Sequence, residues 1–192
     1  MEFRGFMNEF IRLELEDIVG RENVSTNMGD KLAYATDYFW VPRMIIDRGG
    51  QPALPDCIVR PASAEEVSKV LKIANYYKIP VQTWGGGSGS QGGALPMAGG
   101  ILLDVKRMDK LIDINTESGY ITCETGMIFQ TLEWYANERG YSVMHLSSCH
   151  LLPPFRHAAF SSLPPATHTS GTYNTLKNLL RKRILLLRKI LF

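Results

Sequence analysis

The nine residues Gly85, Gly86, Gly87, Ser88, Gly89, Ser90, Gln91, Gly92 and Gly93 include six glycines. They lie between two apolar runs, residues 81–84 and 101–105. No regular helix or strand tolerates that many glycines, because each gives up the most backbone entropy on ordering. The segment is therefore a loop, and whatever precedes and follows it must supply the order. Glycine also lets backbone N–H groups turn together toward one point, with no Cβ in the way. A run of such groups forms a concave nest for anionic oxygens. The hydroxyls of Ser88 and Ser90 and the amide of Gln91 add donors.

Three readings of this loop compete. Gly/Ser runs serve as flexible linkers, but a run ending in Trp84 leads in and a second apolar run follows closely. Residues 87–92 spell G-x-G-x-x-G, yet a dinucleotide-binding unit needs a helix to begin at that loop. Here Ala-Leu-Pro-Met-Ala-Gly-Gly follows instead, with Pro96 in its middle. A P-loop needs Gly-Lys-Ser/Thr, and the segment holds no lysine. The third reading, a loop for a flavin pyrophosphate, depends on the surrounding motifs.

Those surroundings alternate between strand and helix signals. Residues 8–19 are apolar at helical spacing, with Phe10, Ile11, Leu13 and Ile18 assigned to one face and Gly20 as the stop. Residues 26–55 read as irregular, punctuated by Pro42, Gly49, Gly50, Pro52 and Pro55. Residues 56–60 are a strand candidate. Ser63 and Glu66 have capping-box spacing, ahead of a helix carrying Val67, Val70, Leu71, Ala74 and Tyr77 and ending before Pro80. Residues 111–115 and 120–124 flank a Glu-Ser-Gly turn. Residues 128–139 predict a helix presenting Ile128, Leu132 and Tyr135, with Gly140 as its C-terminal cap, and residues 141–145 a strand. The fold class expected is α+β, a small sheet flanked by helices.

Taken together, PASAEEVSKVLKIANYYKIPVQTWGGGSGSQGG and GGILLDVKRMDKLIDINTESGYITCETGMIFQTLEWYANERGYSV resemble the N-terminal subdomain of the FAD-linked oxidases, the vanillyl-alcohol-oxidase or PCMH-type FAD-binding domain. The carrying motifs are ordered. A Pro-x-Ser strand end precedes a capped helix; the glycine loop is followed by the ILLD strand, the Arg-Met-Asp turn and an E-x-G segment at Glu124 and Gly126. The flavour is nearest the D-lactate and glycolate dehydrogenases and the alkyldihydroxyacetonephosphate synthases. The resemblance implies that Trp84, Gly85, Gly86, Gly87, Ser88, Gly89, Ser90, Gln91 and Gly92 line the FAD pyrophosphate. It further implies non-covalent FAD, since none of the four histidines lies in the loop, and a small-molecule 2-hydroxy acid substrate in the full-length relatives. Asp104 is expected to cap a turn, Trp84 to pack, and Gly126 to serve backbone geometry.

The resemblance stops near residue 147. The family continues there with a Ser/Thr-x-Gly-Gly segment, whereas this chain reads SSCHLLPPFRHAAF. No catalytic residue can be named, because the relatives' substrate-domain residues have no counterpart. The charge changes at the same place. Residues 1–149 hold 14 basic and 19 acidic side chains, while the rest hold 7 basic and no acidic ones. The expected organisation is a lead-in over 1–55, an incomplete FAD-binding subdomain over 56–147, and a basic tail over 148–192. That tail is expected to be aberrant or out of frame, the rival being a basic amphipathic helix over 176–192. The three scattered cysteines show no metal-ligand spacing. No metal, nucleic-acid partner or membrane span is expected, and the location expected is cytoplasmic.

Overall fold

The computed structural model describes residues 7–143 together with the backbone of two strands, Arg183–Ile184 and Leu186–Leu191. It divides into two compact units at Met108 and Asp109.

The first unit is built on a four-stranded sheet. Its elements are α1 (Glu9–Val19), a 3-10 turn (Arg21–Asn23), β1 (Val24–Ser25), α2 (Met28–Ala33), α3 (Trp40–Asp47), β2 (Cys57–Val59), α4 (Ala64–Tyr76), β3 (Val81–Trp84) and β4 (Ile101–Asp104). The sheet order is β1-β2-β4-β3, with β1 antiparallel to β2 and the other three strands parallel. Strand alternation sorts the apolar side chains onto two faces. Cys57, Val59, Ile101 and Leu103 meet Ile11, Leu15 and Val19 of α1 and Val70 and Ala74 of α4. Ile58, Leu102 and Trp84 cluster with Tyr34. Because β4 is covered on both faces, it reads as a continuous apolar run, as parallel strands do.

Local chemistry sets the helix ends. Asn8 caps α1 by accepting from Ile11 N at 2.9 Å. Ser63 caps α4 by accepting from Glu66 N at 3.2 Å. Glu66 reaches back one residue further than a capping box requires and accepts from Ala62 N at 2.8 Å. At the other end of α4, Ile79 N donates to Ala74 O at 2.8 Å and Lys78 stands at φ 56. That hydrogen bond over a left-handed residue is the arrangement in which helices ordinarily place glycine.

The structure differs from the sequence reading in three places here. The buried face of α1 is Ile11, Leu15 and Val19, while Phe10 and Leu13 are exposed. The i, i+4, i+8 spacing aligns the first set under α4, whereas the broader face chosen from sequence straddles the helix edge. Leu71 of α4 is likewise exposed. Residues 26–55 contain α2 and α3 and are not irregular throughout; Pro42 falls in the first turn of α3, where its missing N–H costs nothing.

The second unit holds β5 (Leu111–Asn115), β6 (Tyr120–Glu124), α5 (Phe129–Glu138), β7 (Tyr141–Ser142), β8 (Arg183–Ile184) and β9 (Leu186–Leu191). β5 and β6 form the expected antiparallel hairpin. β6 pairs in parallel with β9, and β7 with β8. The core comprises Ile121, Cys123, Met127, Phe129, Leu132, Ala136, Tyr141 and Val143. α5 buries Phe129, Leu132 and Ala136, a face one residue round from the Ile128 and Tyr135 chosen from sequence. Glu133 fastens β7 to this helix: it accepts from Ser142 Oγ at 2.7 Å and from Val143 N at 2.8 Å. Residues 183–184 and 186–191 are strands, so an amphipathic helix over 176–192 is not formed there. Residues 144–145 of the strand expected over 141–145, and the remainder of the tail, lie outside the described residues.

The left-handed lysine gives a stability test. Lys78→Gly is expected to raise the unfolding free energy by about 1 kcal/mol by removing Cβ strain, read as a higher urea midpoint with an unchanged slope. A lower midpoint would show that the Lys78 stem contributes more than its backbone costs.

Candidate functional site

The glycine loop connects two neighbouring parallel strands, β3 and β4, without a helix. Parallel neighbours need a crossover of a dozen or more residues, and here the 85–100 segment fills that role. The loop consequently leaves the carboxyl end of β3, the edge at which open parallel sheets take their ligands. It returns through Gly100, whose φ is 78 and whose N–H donates to Asp56 Oδ2 at 2.8 Å. A Cβ at Gly100 would stand 2.2 Å from Pro80 O. Only glycine lets the chain re-enter the sheet so close to β3.

Trp84 ends β3 and is buried. Its indole meets the Tyr34 ring edge-on, with centroids 5.0 Å apart and planes at 78°. Gly87, at φ 64, lies directly over the same indole, and a Cβ there would stand 2.4 Å from Trp84 Cζ2. Gly89 and Gly93, by contrast, face open space. Among the described residues, the loop is anchored through its carbonyls. Gly87 O accepts from Tyr38 N at 3.1 Å, Gly92 O from Leu95 N at 3.1 Å, and Gly93 O from Gln82 Nε2 at 2.7 Å. Fixing the loop by its acceptors keeps the N–H groups of residues 85–91 for other partners. Ser90 and Gln91 are exposed at the tip. The arrangement can receive the oxygens of an anionic group by backbone donation.

Beside the loop is a polar network that the sequence did not announce. Asp104, at the end of β4, is buried. Its Oδ1 accepts from Lys106 N at 3.1 Å, which is the turn-capping role expected of it. Its Oδ2 accepts from the Tyr34 hydroxyl at 2.5 Å, across 70 residues of chain. The Lys106 ammonium stands 3.6 Å and Arg60 Nε 4.0 Å from the same oxygen, and Arg60 also faces Asp30 at 3.6 Å. A buried carboxylate without such partners would be strongly destabilising. Tyr34 and Arg60 were missed from sequence because nothing in local spacing relates them to Asp104.

In the second unit, Glu124 and Lys110 exchange hydrogen bonds. Lys110 N donates to Glu124 Oε2 at 2.9 Å and Glu124 N to Lys110 O at 2.9 Å. Gly126 is not among the glycines at positive φ, contrary to the backbone role expected for it. Cys57 and Cys123 are free, buried thiols. Among the described residues there is no group of acidic, His or Cys side chains able to hold a metal ion, and no helix is long and apolar enough to cross a membrane.

The FAD binding domain family matches residues 55–151, which spans the capped helix, the glycine loop and the β5–β6 hairpin. The chain belongs to that family. FAD is accordingly its cofactor, and a carbonyl-anchored glycine loop suits the charged middle of that molecule. A zebrafish protein named probable D-lactate dehydrogenase, mitochondrial, is 31% identical over 139 residues, covering 71% of this chain and 26% of the relative. A solved alkyldihydroxyacetonephosphate synthase superposes with a TM-score of 0.69 at 19% identity, over 82% of this chain and 29% of that one. A p-cresol methylhydroxylase superposes with a TM-score of 0.57 at 26% identity, over 68% and 24%. The chain thus spans about a quarter of the length of the relatives it matches, and its α+β fold is that of a PCMH-type FAD-binding domain.

Burial, reinforced by Asp104 and partly relieved by Arg60, pushes the Tyr34 phenol up to about 12. A phenol held protonated by the fold contributes fully below its ordinary value near ~10, and that contribution is lost as pH rises toward the folded value. Burial likewise pushes the Cys57 thiol up to about 12 and the Cys123 thiol to about 11. The urea midpoint is therefore expected to fall from roughly pH 9 upward. Tyr34→Phe should flatten only the part above about pH 10; an unaltered profile in that variant would remove Tyr34 from the account.

Proposed function

We propose that this chain is the pyrophosphate-binding part of an FAD-dependent oxidoreductase acting on a small 2-hydroxy acid such as D-lactate or glycolate. The observation that carries the reading is the glycine loop at the carboxyl edge of β3, tied down by its carbonyls, in a chain of the FAD binding domain family. Backbone N–H groups of Trp84, Gly85, Gly86, Gly87, Ser88, Gly89 and Ser90 line the pyrophosphate, and Gln91 and Gly92 close the loop. When bound, the flavin supplies the hydride acceptor for the substrate α-carbon; the residues of this chain bind and orient it. FAD is held non-covalently, a reading supported by the absence of histidine from residues 84–100.

The three-part organisation, with a lead-in over 1–55, an FAD-binding subdomain over 56–147 and a basic tail over 148–192, is part of the same proposal. The family match supports the first inner boundary by beginning at residue 55, and it runs on to residue 151, past the second. Reading all three frames of the gene beyond codon 147 tests the tail. A Gly-Gly segment followed by a long open stretch in another frame would mark it as out of frame. The reduced, buried Cys57 and Cys123 support a reducing compartment, of which the cytoplasm is our choice.

A second reading rests on the resemblance of the triple-glycine loop and its flanking motifs to the alkyldihydroxyacetonephosphate synthases: a transferase on the same scaffold without net oxidation. Anaerobic mixing of the full-length gene product with D-lactate or glycolate separates the two. Bleaching of the flavin absorbance is expected for the dehydrogenase, whereas no bleaching with either acid would favour the transferase. A third reading is a non-catalytic product. A flavin band that copurifies with this chain and is released by heat or acid would count against a non-binding fragment.

Glycine substitutions separate loop shape from ligand contact. Gly87→Ala must displace Trp84 and adopt a left-handed φ, and is expected to cost about 1–3 kcal/mol of stability with or without FAD. Gly89→Ala meets no protein atom within 4 Å. It should leave the melting temperature unchanged and weaken FAD binding by about tenfold, on the order of 1.4 kcal/mol. Unchanged FAD affinity in Gly89→Ala would argue against backbone contact at the loop tip.

A further inference from the structure

We propose that Tyr34 is a positioning residue for the glycine loop, acting through Trp84. The hydroxyl is tethered to Asp104 Oδ2 at 2.5 Å and the ring supports the Trp84 indole at 5.0 Å. The indole in turn fills the space beneath Gly87. The chain leaving Tyr34 also holds the loop, since Tyr38 N donates to Gly87 O at 3.1 Å. The Lys106 ammonium, 5.0 Å over the Tyr34 ring, closes the arrangement from above.

Six glycines between Trp84 and Ala94 carry no side chains of their own to fix the backbone. The loop's shape must come from what lies under it, and the surface under Gly87 is the Trp84 indole. That indole is at the end of β3, which among the described residues pairs with β4 alone. Its edge-on contact with Tyr34 supplies the missing restraint, and Asp104 fixes Tyr34 in turn. Asp104 pairs with Trp84 in the β3–β4 register. The tether therefore ties both strand ends to one aromatic ring.

The consequence for FAD binding rests on the function proposed above, so the test has one arm that needs no flavin. The full chain and its Tyr34→Phe and Tyr34→Leu variants are treated with chymotrypsin under native conditions, and cleavage sites are identified by mass. Tyr34→Leu removes the support of Trp84, and cleavage after Trp84 should rise about tenfold relative to cleavage after Tyr77, at the end of α4 in the same unit. Tyr34→Phe, which keeps the ring and loses the tether, should fall between. A uniform rise at both sites, or no rise after Trp84, would overturn the proposal, because a purely structural role loosens both alike.

In the second arm, the same proteins are titrated with FAD and with riboflavin, which lacks the pyrophosphate. Tyr34→Leu should weaken FAD at least tenfold and leave riboflavin within about twofold. Equal weakening of both flavins would count against loop positioning. If the unsubstituted chain binds neither flavin, the FAD reading of this chain fails, and the cleavage arm alone decides the role of Tyr34.

Discussion

β4 is buried on both faces and hydrogen-bonded along both edges, to β2 on one side and β3 on the other. Ile101, Leu102 and Leu103 are shut off from water. Their alternation divides the first unit into a layer packed by α1 and α4 and a layer packed by Tyr34 and Trp84. Parallel pairing of β3 with β4 also dictates the shape of the connection between them. Their neighbouring ends lie far apart along the strands, so the chain must travel back across the sheet. It does so through a glycine-rich segment instead of a helix, and that choice places a flexible run of backbone donors at the carboxyl edge.

Flexibility of that kind is costly, and the rest of the first unit counters it. The loop is anchored by carbonyls and floored by the Trp84 indole, and its return is pinned by Asp56 at Gly100. The Tyr34–Asp104 hydrogen bond, of a kind worth about 1.5–3 kcal/mol when one partner is charged, links this floor to the strand end. Asp104 tolerates burial because Lys106 and Arg60 approach it. The polar network and the aromatic pair thus perform one task, that of giving shape to a segment that has no side chains to shape itself. Anion binding by backbone donors depends on such prior ordering, since otherwise the ligand would have to offset the ordering entropy itself.

Much of this was legible in the chain. The capped helix after Ser63, the strands on either side of the loop, the hairpin around Gly119 and the cap at Gly140 follow from residue types that act over a few positions. So does the exclusion of a Rossmann loop, because Pro96 forbids the helix such a loop requires. The motif order pointed to the FAD-linked oxidases, and the family match over 55–151 agrees. What misled was the choice of face. Phe10 and Leu13 are apolar and helically spaced, yet exposed, and the face that packs is set by where α4 lies. The two helices within 26–55 were hidden by prolines and glycines, whose punctuation masks short helices with a proline in the first turn.

By itself the sequence determined the glycine loop, the elements flanking it and the family to which they belong, because propensity, capping and turn chemistry are local and are written in neighbouring residues. Tertiary structure alone decided that Tyr34 would meet Asp104, that Trp84 would lie beneath Gly87, and that, among the described residues, the carbonyls of Gly87 and Gly93 would hold the glycine run while the Gly100 N–H pins its return. Those pairings join positions far apart in the chain. They form only once β3 and β4 have paired and brought their carboxyl ends to one edge.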